Sequence, residues 1–215
     1  VAVEAKVCGL TRPRDAALAV RLGASWLGAV FAASSPRHVG VGQARELVAA
    51  AEGRPFVGVF VEQGADEILR LRDRTGLSVA QLHADSTPAL RARLRREELP
   101  AWSVVKLASE ADLDRLAEAA EEADAVLVEP RVAGADGGTG TALPLDLAAA
   151  ARERLAGARL VLAGGLRPET LERAIALVRP DIVDVSSGVE SAPGVKDADL
   201  LARFLEVARD ALARP

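Results

Sequence analysis

Short apolar runs recur eight times along the chain, and each leads into a longer stretch whose apolar residues return every three or four positions. The short runs lie at 3–8, 26–31, 56–61, 79–83, 102–107, 125–129, 159–163 and 181–185. Their length and β-rich content predict strands. The stretches between them predict helices. In "ADEILRLRDRTG", for example, Ile68, Leu69 and Leu71 stand at helical spacing among charges. Helix punctuation agrees. Thr11 precedes "RPRDA", Thr87 precedes Pro88, and Ser109 opens a capping box with "EADL". Gly23 and Gly76 stand where helices should stop.

Strand and helix in strict alternation is the pattern of parallel βαβ units. Eight units close into a (β/α)8 TIM barrel with parallel strands, and an open doubly wound sheet is the competing α/β arrangement. No Pro/Ser-rich linker divides the chain, so a single barrel domain over 1–215 is expected. Its loops must be compact, since ~250 residues is usual for this architecture.

Composition narrows the function. Half of the 215 residues are hydrophobic, and the net charge is -4. No basic stretch carries interleaved aromatics, so no nucleic-acid partner is expected. One cysteine excludes an internal disulfide and a cysteine zinc cluster. With only two histidines, a metal site would have to rest on carboxylates, and none is assigned. No apolar run reaches ~18 residues, so no membrane helix is expected. "VAVEAK" lacks the charged-then-apolar pattern of a signal segment. The expectation is a soluble cytoplasmic protein, monomer or homodimer.

Alternation along the strands then places polar residues where a barrel core should be apolar. Glu4, Lys6 and Cys8 share a face of the first strand; Gln81 and His83 share one in the fourth. Leu127 and Glu129 share one in the sixth, and Ile182, Asp184 and Ser186 in the eighth. Lys106 stands near the end of the fifth. One charged residue at a strand end is usually solvated. Several on independent strands gather at the carboxyl rim, where barrel active sites sit.

Two glycine-rich loops add a ligand class. "VLAGGLRPET" follows strand seven and "VDVSSGVESAPGVKD" follows strand eight. Adjacent glycines at a strand-to-helix turn let backbone N–H groups approach a phosphate. Barrels often build phosphate sites from these two loops. Gly164, Gly165, Ser187 and Gly188 are therefore the candidate phosphate-binding residues. A third cluster, "GADGGTGTA", reads as a flexible connection or a lid over the mouth.

The segments "KVCGLTRPRDA", "LGAVFAASSPRHV", "VGVFV", "AQLH", "VLVEP…GGTGT", "VLAGGLRPE" and "DVSSGVESAPGVKD" resemble, in order, those of the phosphoribosylanthranilate isomerase family. The resemblance implies a (β/α)8 barrel that catalyses an Amadori rearrangement of a phosphosugar in tryptophan biosynthesis, with no metal or organic cofactor. It implies Cys8 as general base, activated by a nearby cation such as Lys6 or by a helix N-terminus. Arg37 matches the arginine that binds the anthranilate carboxylate in a fork. Asp184 matches the aspartate of the "DVSSG" block and is expected beside the substrate ring or as an orienting group; His83, at the end of "QLH", is expected to line the mouth as a hydrogen-bonding residue or to serve a structural role.

The match departs from the family at the general acid, usually an aspartate, where this chain has Glu129. Three readings are open: Glu129 serves in an adjusted pose, another acid such as Asp136 substitutes, or activity is low. The first is preferred, because a proton donor needs reach and a suitable pKa rather than one residue type. Thr141 and Ala142 follow "GGTG" where a lysine or other polar residue is common, and Ala84 replaces the glycine of "QLHG". Two rival functions are a Schiff-base aldolase using Lys106 and a non-catalytic phosphosugar-binding descendant.

Overall fold

A computed structural model describes residues 3–83, 86–132 and 140–211 of the chain. Eight parallel strands close into a barrel in chain order: β1 (Glu4–Val7), β2 (Trp26–Val30), β3 (Phe56–Phe60), β4 (Val79–Leu82), β5 (Ala101–Leu107), β6 (Ala125–Pro130), β7 (Leu160–Leu162) and β8 (Ile182–Val185). β8 pairs back onto β1, with Glu4 opposite Ile182 and Val7 opposite Val185. Each strand begins and ends within one residue of its expected position. The alternating helices are α1 (Pro13–Arg21), α2 (Val41–Ala50), α3 (Ala65–Thr75), α4 (Pro88–Arg96), α5 (Leu116–Ala120), α6 (Leu145–Arg154), α7 (Pro168–Val178) and α8 (Ala198–Asp210). None of the described helices is long and apolar enough to cross a membrane.

The helix punctuation holds with two changes. Thr87 caps α4 by accepting from the Leu90 N–H at 3.2 Å, and Gly76 ends α3 in the left-handed conformation. The Ser109 capping box is present, but it opens a 3₁₀ turn, Glu110–Arg115, ahead of the short α5. Thr11 does not cap α1. Arg12 holds that position, its guanidinium bound to Asp15 at 2.7 Å, and the Thr11 hydroxyl instead donates to the Gly194 carbonyl. That carbonyl belongs to an unforeseen antiparallel hairpin, β9 (Glu190–Ala192) and β10 (Val195–Lys196), between β8 and α8.

Two apolar layers follow from strand alternation. Val7, Leu27, Phe60, Val126, Leu162 and Val183 belong to the large core shared with buried helix residues such as Ala16, Leu47 and Phe204. Val57, Trp102, Leu127, Val161 and Ile182 form a second cluster, which fills the barrel interior. There Trp102 meets Trp26 edge-on, ring centroids 5.0 Å apart. The amino-terminal end of the barrel is polar. Glu4 accepts from the Trp26 indole N–H and from Arg159 at 2.9 Å.

The barrel interior is thus packed below and polar above, so the mouth stands on a solid floor. Trp102, only 2% exposed, is the largest side chain of that floor. Trp102→Ala should cost about 3 to 5 kcal/mol, the range for removing a large core aromatic. Urea denaturation followed by far-UV circular dichroism checks this; an unchanged midpoint would show that the floor does not depend on that ring.

Candidate active site

Cys8 stands one residue beyond β1, its N–H bonded to the Val185 carbonyl of β8 at 2.8 Å. Beneath it, Lys6 points into the barrel, fully buried, with Nζ 3.0 Å from Asp184 Oδ1. Lys6 and Asp184 are register partners on adjacent strands, so the ion pair follows directly from strand pairing. Gly28 on β2 makes room for both side chains: a Cβ there would lie 3.2 Å from Lys6 Cε and 3.3 Å from Cys8 Sγ.

The electrostatics of Cys8 differ from the sequence expectation. Burial pushes the thiol above its ordinary value, and the charge of Asp184 adds to this. The Lys6 ammonium pulls the other way, as expected, but does not prevail. Burial likewise opposes the charged form of Lys6, but Asp184 and Cys8 outweigh it and hold its pKa above the usual lysine value. The free protein therefore keeps Lys6 charged and Cys8 as a thiol at neutral pH.

Glu129, near the end of β6, lines a cavity with Asp184 and with the loops after β7 and β8. Gly164, Gly165, Ser187 and Gly188 all border it, as the glycine pattern predicts. The cavity opens to solvent at the mouth, between these two loops and Glu129. Both loops need their glycines. Gly165 has φ +64°, and a Cβ would lie 2.7 Å from the backbone of Thr141 and Ala142. At Gly188 a Cβ would come within 1.9 Å of the Leu166 carbonyl oxygen, so the two loops interlock only there without a side chain.

Arg37 is buried in the connection from β2 to α2, and Glu190 holds its guanidinium. Nε lies 3.0 Å from Oε1 and Nη2 2.7 Å from Oε2. Glu190 also receives Lys196 Nζ at 2.7 Å, and the same ammonium donates to the Cys8 carbonyl at 2.6 Å and the Ser186 carbonyl at 3.1 Å. Burial pulls Lys196 below the ordinary lysine value despite Glu190, yet three acceptors around Nζ call for three N–H donors, the ammonium form. Burial would raise Glu190, but Arg37 and Lys196 overcome it and hold the carboxyl below its usual value.

His83 stands apart from that cavity. It lines a second one, on the β4–β5 side, with Ser103, Lys106, Arg115 and Arg131. Its Nδ1 nevertheless lies 3.4 Å from Glu129 Oε1. Asp136, the Ala84 position and most of "GADGGTGTA" fall outside the described residues. Glu190 and Lys196 are the residues that sequence reasoning missed. Their signal was a charged pair inside the otherwise small-residue stretch "VESAPGVKD", with no period to mark it.

Comparisons with known proteins point to one family. The family model described as "N-(5'phosphoribosyl)anthranilate (PRA) isomerase" matches residues 5–207. An N-(5'-phosphoribosyl)anthranilate isomerase of Paracoccus denitrificans is 42% identical, the match covering 95% of this chain and 96% of that protein. The structure of phosphoribosyl anthranilate isomerase from Thermotoga maritima superposes with a TM-score of 0.86 at 34% identity, covering 96% of this chain and 98% of that one. A structure of such an isomerase in complex with reduced 1-(o-carboxyphenylamino)-1-deoxyribulose 5-phosphate has a TM-score of 0.84 at 33% identity, covering 96% of this chain and 98% of that one.

The thiol should titrate above the ordinary cysteine range of about 8.5. Removing the cation that opposes this shift, in Lys6→Gln, should move the titration higher still. Ultraviolet thiolate absorbance against pH, read as a difference from the Cys8→Ser protein, measures both. A titration that moves down in Lys6→Gln would contradict the role given to the Lys6 charge.

Proposed function

Because the chain belongs to the N-(5'-phosphoribosyl)anthranilate isomerase family and is an isomerase of tryptophan biosynthesis, we propose that its barrel mouth performs the Amadori rearrangement through Cys8 and Glu129. The observation that carries this assignment is the meeting of Glu129, Asp184 and both glycine loops around one cavity, with Cys8 beside the Lys6–Asp184 pair. The substrate is the phosphosugar N-(5-phosphoribosyl)anthranilate. Its phosphate belongs at Gly164, Gly165, Ser187 and Gly188. The reaction needs no cofactor, and the protein works in the cytoplasm as a monomer or homodimer.

Neutral Glu129 gives its proton to the ribose ring oxygen as the C1–O bond breaks, and the anilino nitrogen supplies the electrons for a C1=N⁺ iminium. Cys8, as thiolate, takes the proton from C2, and the C2–H electrons form C1=C2 while the iminium is neutralised. The enolamine then becomes the ketone by gaining a proton at C1 and losing one from the C2 hydroxyl. Opposite acid and base roles suit the two flanks of a mouth.

The raised thiol pKa does not conflict with base catalysis. The Lys6 ammonium already favours the thiolate, and the iminium adds a second positive charge when the base must act. Asp184 holds Lys6 in place and faces the sugar. Glu190 occupies one edge of the Arg37 guanidinium, so the anthranilate carboxylate takes the remaining end-on edge rather than an unoccupied fork. Family membership leaves nothing in favour of a Lys106 Schiff base.

Cys8→Ala and Glu129→Ala should each lower kcat by about 10²-fold or more, with smaller changes in KM. Loss of phosphoribosylanthranilate fluorescence is the assay. A Glu129→Ala protein at the parent rate would remove Glu129 from the mechanism. Arg37→Ala should chiefly raise KM, and an unchanged KM would end its carboxylate-binding role.

A further inference from the structure

Four buried polar side-chain atoms find no hydrogen-bond partner among the described residues: Gln81 Oε1, His83 Nδ1, Ser103 Oγ and Glu129 Oε1. Two of them face each other, since His83 Nδ1 lies 3.4 Å from Glu129 Oε1. Native proteins rarely leave buried polar atoms unpaired, and those that do stand out often belong to a functional site. The other ring nitrogen of His83 is occupied: Nε2 lies 2.8 Å from Gln81 Nε2. We infer that Gln81 and His83 form a tautomer lock that positions the carboxyl of Glu129 for proton donation. This rests on the reading of Glu129 as the general acid.

The chemistry runs in one direction. An amide nitrogen donates and does not accept. With the amide in this orientation Gln81 Nε2 donates to His83 Nε2, which in neutral imidazole leaves the proton on Nδ1. Gln81 is 2% exposed, set in β4 with Val59 of β3 and Trp102 of β5 as its register partners. Its side chain is poorly placed to turn away. The Nδ1–H is thus aimed at Glu129 Oε1, and closing by a few tenths of an ångström makes a normal hydrogen bond of about 2.9–3.0 Å.

The consequence lies on the other carboxyl oxygen. With Oε1 accepting from His83, the proton of the neutral acid resides on Oε2, the oxygen left to serve the ring oxygen of the substrate. The lock matters more for a glutamate than for an aspartate. The extra methylene adds a torsion, and an error of about 1 Å in a catalytic group can cost on the order of 10²-fold. Gln81 and His83 are positioning residues: they act through Glu129 and need not touch the sugar.

Nuclear magnetic resonance of ¹⁵N-labelled imidazole tests the lock directly. The chain has two histidines, so a His38→Asn protein assigns the signals of His83. The neutral Nδ1–H tautomer is expected, and the Nε2–H tautomer would overturn the proposal. In kinetics, His83→Ala should lower kcat about tenfold while KM changes less than about twofold. His83→Asn, whose amide N–H takes the place of Nδ1–H, should recover most of that loss. His83→Gln, whose amide reaches the Nε2 position instead, should not. Equal rates in the Asn, Gln and Ala proteins would refute the lock. Glu129→Gln separates the two ideas. If it is slow while His83→Ala is at the parent rate, the acid reading stands and the lock falls. If it turns over at the parent rate, the acid reading itself fails.

Discussion

The mouth of this barrel hangs on one ammonium group. Lys196 Nζ donates to the carbonyls of Cys8 and Ser186 and to the carboxylate of Glu190, and Glu190 holds Arg37. The proposed base, the glycine loop after β8 and the proposed carboxylate-binding arginine are thereby tied to a single point. A buried charge is costly unless every donor is met, and here the number of acceptors equals the number of N–H groups. The hairpin that carries Lys196 is itself anchored: the Lys196 N–H bonds Asp15, and the Thr11 hydroxyl bonds the Gly194 carbonyl. The start of α1, the end of β1 and the hairpin after β8 thus hold one another in place across the closure of the barrel.

A second buried pair divides the barrel along its axis. Below Lys6 and Asp184 the interior is filled by Val57, Trp102, Leu127, Val161 and Ile182; above them it is polar. An ion pair at that level adds little stability, because desolvation offsets the attraction. Its value here is chemical. It sets a positive charge beside a thiol that burial favours in its protonated form, and it holds the carboxylate of Asp184 in place. The sulfur therefore sits between opposing influences, burial and Asp184 on one side and Lys6 on the other.

Much of this was legible in the residues. The eight strands were readable because a strand buried on both faces is a short apolar run, while the helix after it returns its apolar residues with a period of about 3.6. Glu129, Asp184, Gly164, Gly165, Ser187 and Gly188 could be placed at one rim because the carboxyl ends of parallel strands all face the same way. The roles of Cys8 and Arg37 came only from resemblance. Lys196 and Glu190 could not be found this way, since they belong to a short irregular hairpin whose charges carry no period. The failed cap at Thr11 has the same cause: its hydroxyl found a partner 183 positions away.

The order of local elements determined the barrel, which is why the sequence alone carried the fold: periodicity, capping and glycine placement are properties of neighbouring residues. Tertiary structure decided the electrostatics. The thiol of Cys8 lies above its ordinary pKa rather than below it, because burial depends on all eight strands closing and outweighs one lysine two residues away. The partners of Arg37, His83 and Glu129 were decided in the same way. Arg37 meets Glu190, and His83 meets Glu129, from different βα units, and only ring closure brings such units within a few ångströms.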